Sequence, residues 1–237
     1  MEPAQHAWET LSNNMRLYAE ASMNFRGLFA VDPEEAISNL DRAFESKLEA
    51  FHTLYDVTKK IPGFDYFSYG DTSLLIVLRN AVHHRDHSLF VSWNKEMHMN
   101  EGLVKMAGAA FLLANYSGVT KGTSKYFLLL NDFSKRLSHA SIRNPGKLRA
   151  LWNEELSFRS IAFEAARHRY PEDQAYVNVI PIFMCAVARV ANWLDSKELA
   201  PLGSDGKIYT AQFARTVLPQ LTRPTYAELR LPYPPRP

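Results

Sequence analysis

The sequence predicts an all-α fold, a single helical-bundle domain of about six to eight helices followed by an extended proline-rich tail. Three observations predict it. Apolar residues recur at three- and four-residue steps over long stretches. Asp32-Pro33-Glu34-Glu35 is a strong helix start: a capping aspartate, proline in the first turn, and acids against the positive end of the helix dipole. Only residues 175–183 alternate as a strand would, through Tyr176, Val177, Val179, Ile180 and Ile182. There the helical spacing of Met184 to Leu194 favours a helix kinked at Pro181.

A first helix is expected over about 4–29. The second starts at Asp32 and carries Ile37, Leu40, Phe44, Leu48, Phe51, Leu54 and Tyr55 to about Lys60, where Ile61-Pro62-Gly63 ends it. An aromatic loop, Phe64 to Gly70, follows; it is expected to cap the protein's own core rather than to meet a partner. Asp71 or Thr72 caps the next helix, which runs through Leu74-Leu75-Ile76-Val77-Leu78 to about His87 or Ser88. Further helices are expected at about 100–116, 123–140, 147–169 and 174–199, with Gly108-Ala109-Ala110 permitting a close helix crossing. The domain spans 1–218; residues 219–237, rich in proline, read as a tail lying extended or disordered.

The chain has 237 residues, 46% apolar and 22% charged, which is ordinary for a globular protein with a sizeable core. No apolar run approaches the ~20 residues of a membrane span, and Met1-Glu2-Pro3-Ala4 does not resemble a signal peptide. The one cysteine, Cys185, lies in an apolar run and reads as a core residue, so a cytoplasmic setting is expected. The net charge of +2 hides an uneven distribution. Residues 32–49 hold six acids and two bases, whereas 121–170 hold ten bases and four acids, a field able to steer a polyanion. Asp41, Glu45 and Glu49, at four-residue steps, could face the cations of residues 79–87 and orient them; a solvated face paired with Arg42 and Lys47 is the stronger expectation.

Chemistry concentrates between Arg79 and His87, where two arginines, three histidines, an asparagine and an aspartate follow a buried apolar stretch. Such groups are costly against a core unless paired, bound or used. At ~100° per residue they form two rows, Asn80/His84/His87 and Arg79/His83/Asp86. Metal-independent RNA cleavage needs a base for the 2′-hydroxyl, an acid for the leaving oxygen and a cation for the phosphate. Arg79 and His84 supply a cation and a proton carrier.

Arg79-Asn80-Ala81-Val82-His83-His84 resembles the Arg-x4-6-His signature of the HEPN superfamily, small all-α proteins that include many toxin and antiviral ribonucleases. The likeness covers about residues 33–140, and Asp86 stands where some members carry tyrosine. It implies a homodimer with facing motifs, RNA as substrate, and a cognate antitoxin or regulatory protein. It would give Arg79 to phosphate binding, His84 to acid/base work and Asn80 to positioning, with His83 or His87 as the second proton carrier. No cofactor or resident metal is implied. Residues five apart diverge by ~140° on an ideal helix, so Arg79 and His84 converge only at a helix end or across two chains.

Two other readings stay open. One is a metal site from His83, His84, Asp86 and His87, with His52, Glu49 or His98 as a further ligand. The other is a non-catalytic helical interaction protein with the aromatics of 64–69, Trp93 and the proline-rich tail as contact surface; without chemistry at the cluster, Arg79 pairs with Asp86 or an acid such as Glu45 and His84 is a hydrogen-bonded core residue.

Overall fold

A computed structural model describes residues 2–83, 89–119, 123–215 and 217–233. The chain divides into two compact units, Met1–His83 with Phe183–Leu218, and His84–Ile182 with Pro219–Pro237.

The first unit is helical. Helix α1 (Pro3–Phe29) and helix α2 (Pro33–Thr58) form a long hairpin. The Asp32 carboxylate accepts from Glu35 N at 2.9 Å, the cap expected of that start. Trp8, Leu11 and Met15 of α1 are buried, as are Ile37, Leu40, Leu48 and Leu54 of α2; Tyr18 meets Phe44 edge-on. After α2 a 3-10 turn, Tyr66–Ser68, leads into α3 (Gly70–His83). Thr58 and Tyr66 share a buried hydroxyl contact of 2.8 Å, which ties the aromatic loop to the end of α2. Phe64 stacks on Trp193, so the loop covers its own core, as expected.

The second unit overturns the all-α expectation, because it contains a mixed four-stranded sheet. Its elements are α4 (Trp93–His98), α5 (Gly102–Lys105), β1 (Ala110–Ser117), β2 (Phe127–Leu129), α6 (Leu130–Leu137), α7 (Pro145–Glu155), α8 (Phe158–Arg167) and β3 (Ala175–Asn178). The chain then enters α9 (Ile180–Asp195) and α10 (Ser204–Arg215), and ends in β4 (Gln220–Arg230). The strand order is β2-β3-β1-β4, with β1 parallel to β3 and antiparallel to β4.

Each departure from the expected helices has a physical reason. The expected helix 100–116 contains β1, a central strand buried on both faces. One face meets Met97, Tyr176 and Leu231 through Phe111; the other meets Ala165 through Leu112. Burial on two sides selects a continuous apolar run, which periodicity alone does not distinguish from a buried helix. Gly108 serves no helix crossing: its φ of +80° is a left-handed turn, and a Cβ there would run into the Tyr233 ring. The expected helix 147–169 is two helices, broken at Ser157 with φ 58°. Residues 123–140 split into β2 and α6. Pro181 starts a helix rather than kinking one, standing second in α9 where its missing N–H leaves no bond unmade. Much of the proline-rich tail is β4, and Pro224 is tolerated there because β4 is an edge strand, irregular beside Tyr116. Among the described residues no helix is long and apolar enough to cross a membrane.

In the first unit α9 packs through Phe183 on Phe51, and its Arg189 forks onto the buried Asp71 of α3 at 3.1–3.3 Å. Cys185 is buried, and burial pushes its thiol up to about 12, which makes it a core residue and a poor nucleophile. Helix α10 closes on α1 through Trp8 Nε1 donating to Thr210 (3.2 Å) and the Arg16–Asp205 pair (3.1 Å).

Candidate active site

Helix α3 is buried all round from Leu74 to Leu78, and that anchoring sets what its last turn presents. Arg79 and Asn80 are half-buried, Ala81 points inward, and His83 is exposed at the end. Arg79 reaches α2, where Glu49 takes a fork: Nε donates to Oε2 and Nη2 to Oε1, both at 2.6 Å. The Arg79 side chain is only 15% exposed and the Glu49 side chain 51%, so the pair lies at the edge of the bundle. Asn80 Oδ1 accepts from Arg79 Nη1 at 3.3 Å. The guanidinium holds the Glu49 carboxyl below the usual carboxylate range, and His83 adds to the same field.

One helical turn along α2 stands His52, whose Nδ1 is 3.2 Å from Asp56 Oδ2. Burial pushes the imidazole below its ordinary value, and the Arg79 cation pushes the same way, outweighing Asp56 and Glu49. With its pKa held below the ordinary value and Asp56 beside Nδ1, the ring is mainly neutral at neutral pH, with Nε2 turned away from that carboxylate. Asp56 is itself held by Lys59 at 2.7 Å. Two rows thus face one another, Glu49/His52/Asp56 on α2 and Arg79/Asn80/His83 on α3. The combination offers a fixed cation, an amide, the neutral imidazole of His52 and a second imidazole in His83, which is proton-transfer and anion-binding chemistry.

Of the five site residues expected from the sequence, Arg79, Asn80 and His83 share this end of α3. His84 and His87 lie outside the described residues, as does Asp86. Arg79 is paired within the chain, with Glu49 rather than Glu45. The solvated acidic face expected of α2 is corrected on two counts: Glu49 turns to Arg79, and Lys47 is buried. Lys47 Nζ lies 3.3 Å from the centroid of the Tyr18 ring, 4.5 Å from Phe183 and 4.9 Å from Phe44.

His52, which the sequence offers only as a possible metal ligand, is brought by the structure beside Arg79 with its imidazole held below the ordinary value. The i, i+4 spacing of His52 and Asp56 was the available signal. Among the described residues no three His, Cys, Asp or Glu side chains are grouped to hold a metal ion, and His98 belongs to the second unit. No family model, curated protein or solved structure matches this chain.

Proposed function

We propose that the α2–α3 end is the active site of a metal-independent endoribonuclease of the HEPN type, acting as a homodimer in a toxin or antiviral role. The observation that carries the reading is the convergence of Arg79, locked by Glu49, with the His52–Asp56 pair. Glu49 occupies the Nε/Nη2 edge of the guanidinium; the Nη1/Nη2 edge, which Asn80 touches, is left for the scissile phosphate. Asn80 orients the substrate, and His84 moves protons by its place in the motif. A neutral imidazole takes the proton from the ribose 2′-hydroxyl, and the 2′-oxygen attacks phosphorus. A protonated one, from His83 or His87, returns a proton to the departing 5′-oxygen, leaving a 2′,3′-cyclic phosphate. His52 is a further candidate for the base, since its Nε2 is free of Asp56. The partner chain's copy of the motif supplies the convergence that one helix denies.

The test is RNA cleavage in chelator by wild type and by His84→Ala and Arg79→Ala variants of equal fold. The expected result is cleavage by wild type alone, with cyclic-phosphate ends and a dimer in solution. Absence of cleavage on any RNA, together with a monomer, assigns the cluster to the non-catalytic alternative. The completed Glu49–Arg79 pair favours that second reading, because it satisfies Arg79 without a ligand. Removing His84 also separates the two by stability: a loss beyond ~2 kcal/mol marks a structural histidine.

A further inference from the structure

The second unit holds a cavity of about 420 Å³ between α6, α7 and α8, within the range of small-molecule sites. Its wall is aromatic and closely packed. Phe158 lies 5.2 Å from Phe133 and 6.1 Å from Trp152 between ring centroids, and all three are buried. Helix α8 turns Ala162, Ala165 and Ala166 toward the same space. Larger apolar side chains at those positions would close it, so the sequence leaves the volume open against the general tendency of proteins to fill it.

The rim is cationic. Arg149 on α7 and Arg159 on α8 both line the cavity and are exposed, and among the described residues neither has an ion-pair or hydrogen-bond partner. Glu172, which also lines the cavity, accepts from Asn131 at 2.8 Å, and Glu228 accepts from the Tyr170 hydroxyl, so neither acid pairs with the two arginines. Guanidinium forks match carboxylate and phosphate oxygens, and a packed ring cluster matches a planar apolar body. The excess of bases in 121–170 surrounds the site with a field of the same sign.

We propose that this cavity binds a small aromatic anion, its ring against Phe133, Trp152 and Phe158 and its carboxylate or phosphate on Arg149 and Arg159. The site lies apart from the Arg79 cluster in sequence and stands whether or not the chain cleaves RNA. Calorimetric titration of the full chain with AMP and with indole-3-acetate tests it, beside the neutral adenosine and indole-3-ethanol. Binding of at least one anion below about 1 mM, about tenfold or more tighter than its neutral counterpart, is expected. AMP alone would identify the phosphate form of the ligand and indole-3-acetate alone the carboxylate form. The double substitution Arg149→Gln with Arg159→Gln, at exposed positions, should keep the melting temperature and lose about tenfold or more in affinity. Ala162→Trp should fill the space and remove binding. Equal affinity for neutral and anionic probes, affinity retained by the double variant, or no binding of any probe at about 1 mM each overturns the proposal.

Discussion

Arg79 and Lys47 are cations on adjacent helices of one unit, and the protein holds them in opposite ways. Arg79 stands at the bundle edge, forked by Glu49 with its second edge toward Asn80. Lys47 lies inside, 2% exposed, surrounded by the Tyr18, Phe44 and Phe183 rings. A carboxylate keeps a cation charged and oriented; burial disfavours the charge itself, and here it drives the Lys47 amine well below its ordinary value. Arg79 is therefore a cation held charged and oriented at the edge of the bundle, and Lys47 a core side chain with an amine at its tip. Ring faces favour the ammonium form by ~1–2 kcal/mol per well-placed contact, so at Lys47 burial works against a real attraction.

The largest test of the contrast is on Arg79. Arg79→Ala should lower RNA cleavage by about 100-fold or more, as loss of a transition-state charge partner does, while circular dichroism stays unchanged. Unaltered cleavage rates would place Arg79 beside Lys47 as a structural cation.

Lys47→Met is the next in size. An apolar side chain of similar length removes the desolvation burden, and the variant should be more stable than wild type by about 1–2 kcal/mol at pH 7, read by urea unfolding. The sign with pH follows from linkage. The folded state holds the amine below its unfolded value, so the unfolded chain binds more protons between the two. Stability therefore rises as pH climbs toward the ordinary lysine value of about 10.4. Lys47→Met should flatten that rise. A destabilised variant with the rise intact would mean that the rings hold an ammonium ion after all.

The same two residues show what the sequence made visible. Lys47 stands three residues after Phe44 and four before Phe51, on the apolar face of α2, so its burial was legible in the spacing; its charge led to the opposite expectation. The Glu49–Arg79 pair joins residues 30 apart, and no local pattern indicates which acid of α2 will face α3. The start of α2 and its apolar periodicity were legible because caps and amphipathic faces are local. Strands β1 and β4 were not, because β1 is an apolar run whose identity depends on partners 60 or more residues away, namely β3 at 175–178 and β4 at 220–230. Likewise the His52–Asp56 pair is local in sequence, while its relevance to Arg79 depends on how α2 and α3 pack.

The smallest expected effect concerns the carboxylate that distinguishes Arg79 from Lys47. Glu49 is held below its unfolded value by the guanidinium, so its contribution to stability is present above the unfolded carboxylate value of about 4.3 and is lost as pH falls through the lowered folded one. With the Glu49 side chain half in solvent, screening limits that contribution to under about 1 kcal/mol. Glu49→Gln should cost that small amount at pH 7, and the cost should vanish once the wild-type carboxylate is protonated in acid. In a catalytic site it should also loosen Arg79 and slow cleavage by more than the stability loss explains, with a weaker response to added salt at the level of folding. A variant that unfolds at pH 7 would show instead that the pair is a structural tie of the α2–α3 packing, and that Arg79, like Lys47, belongs to the architecture.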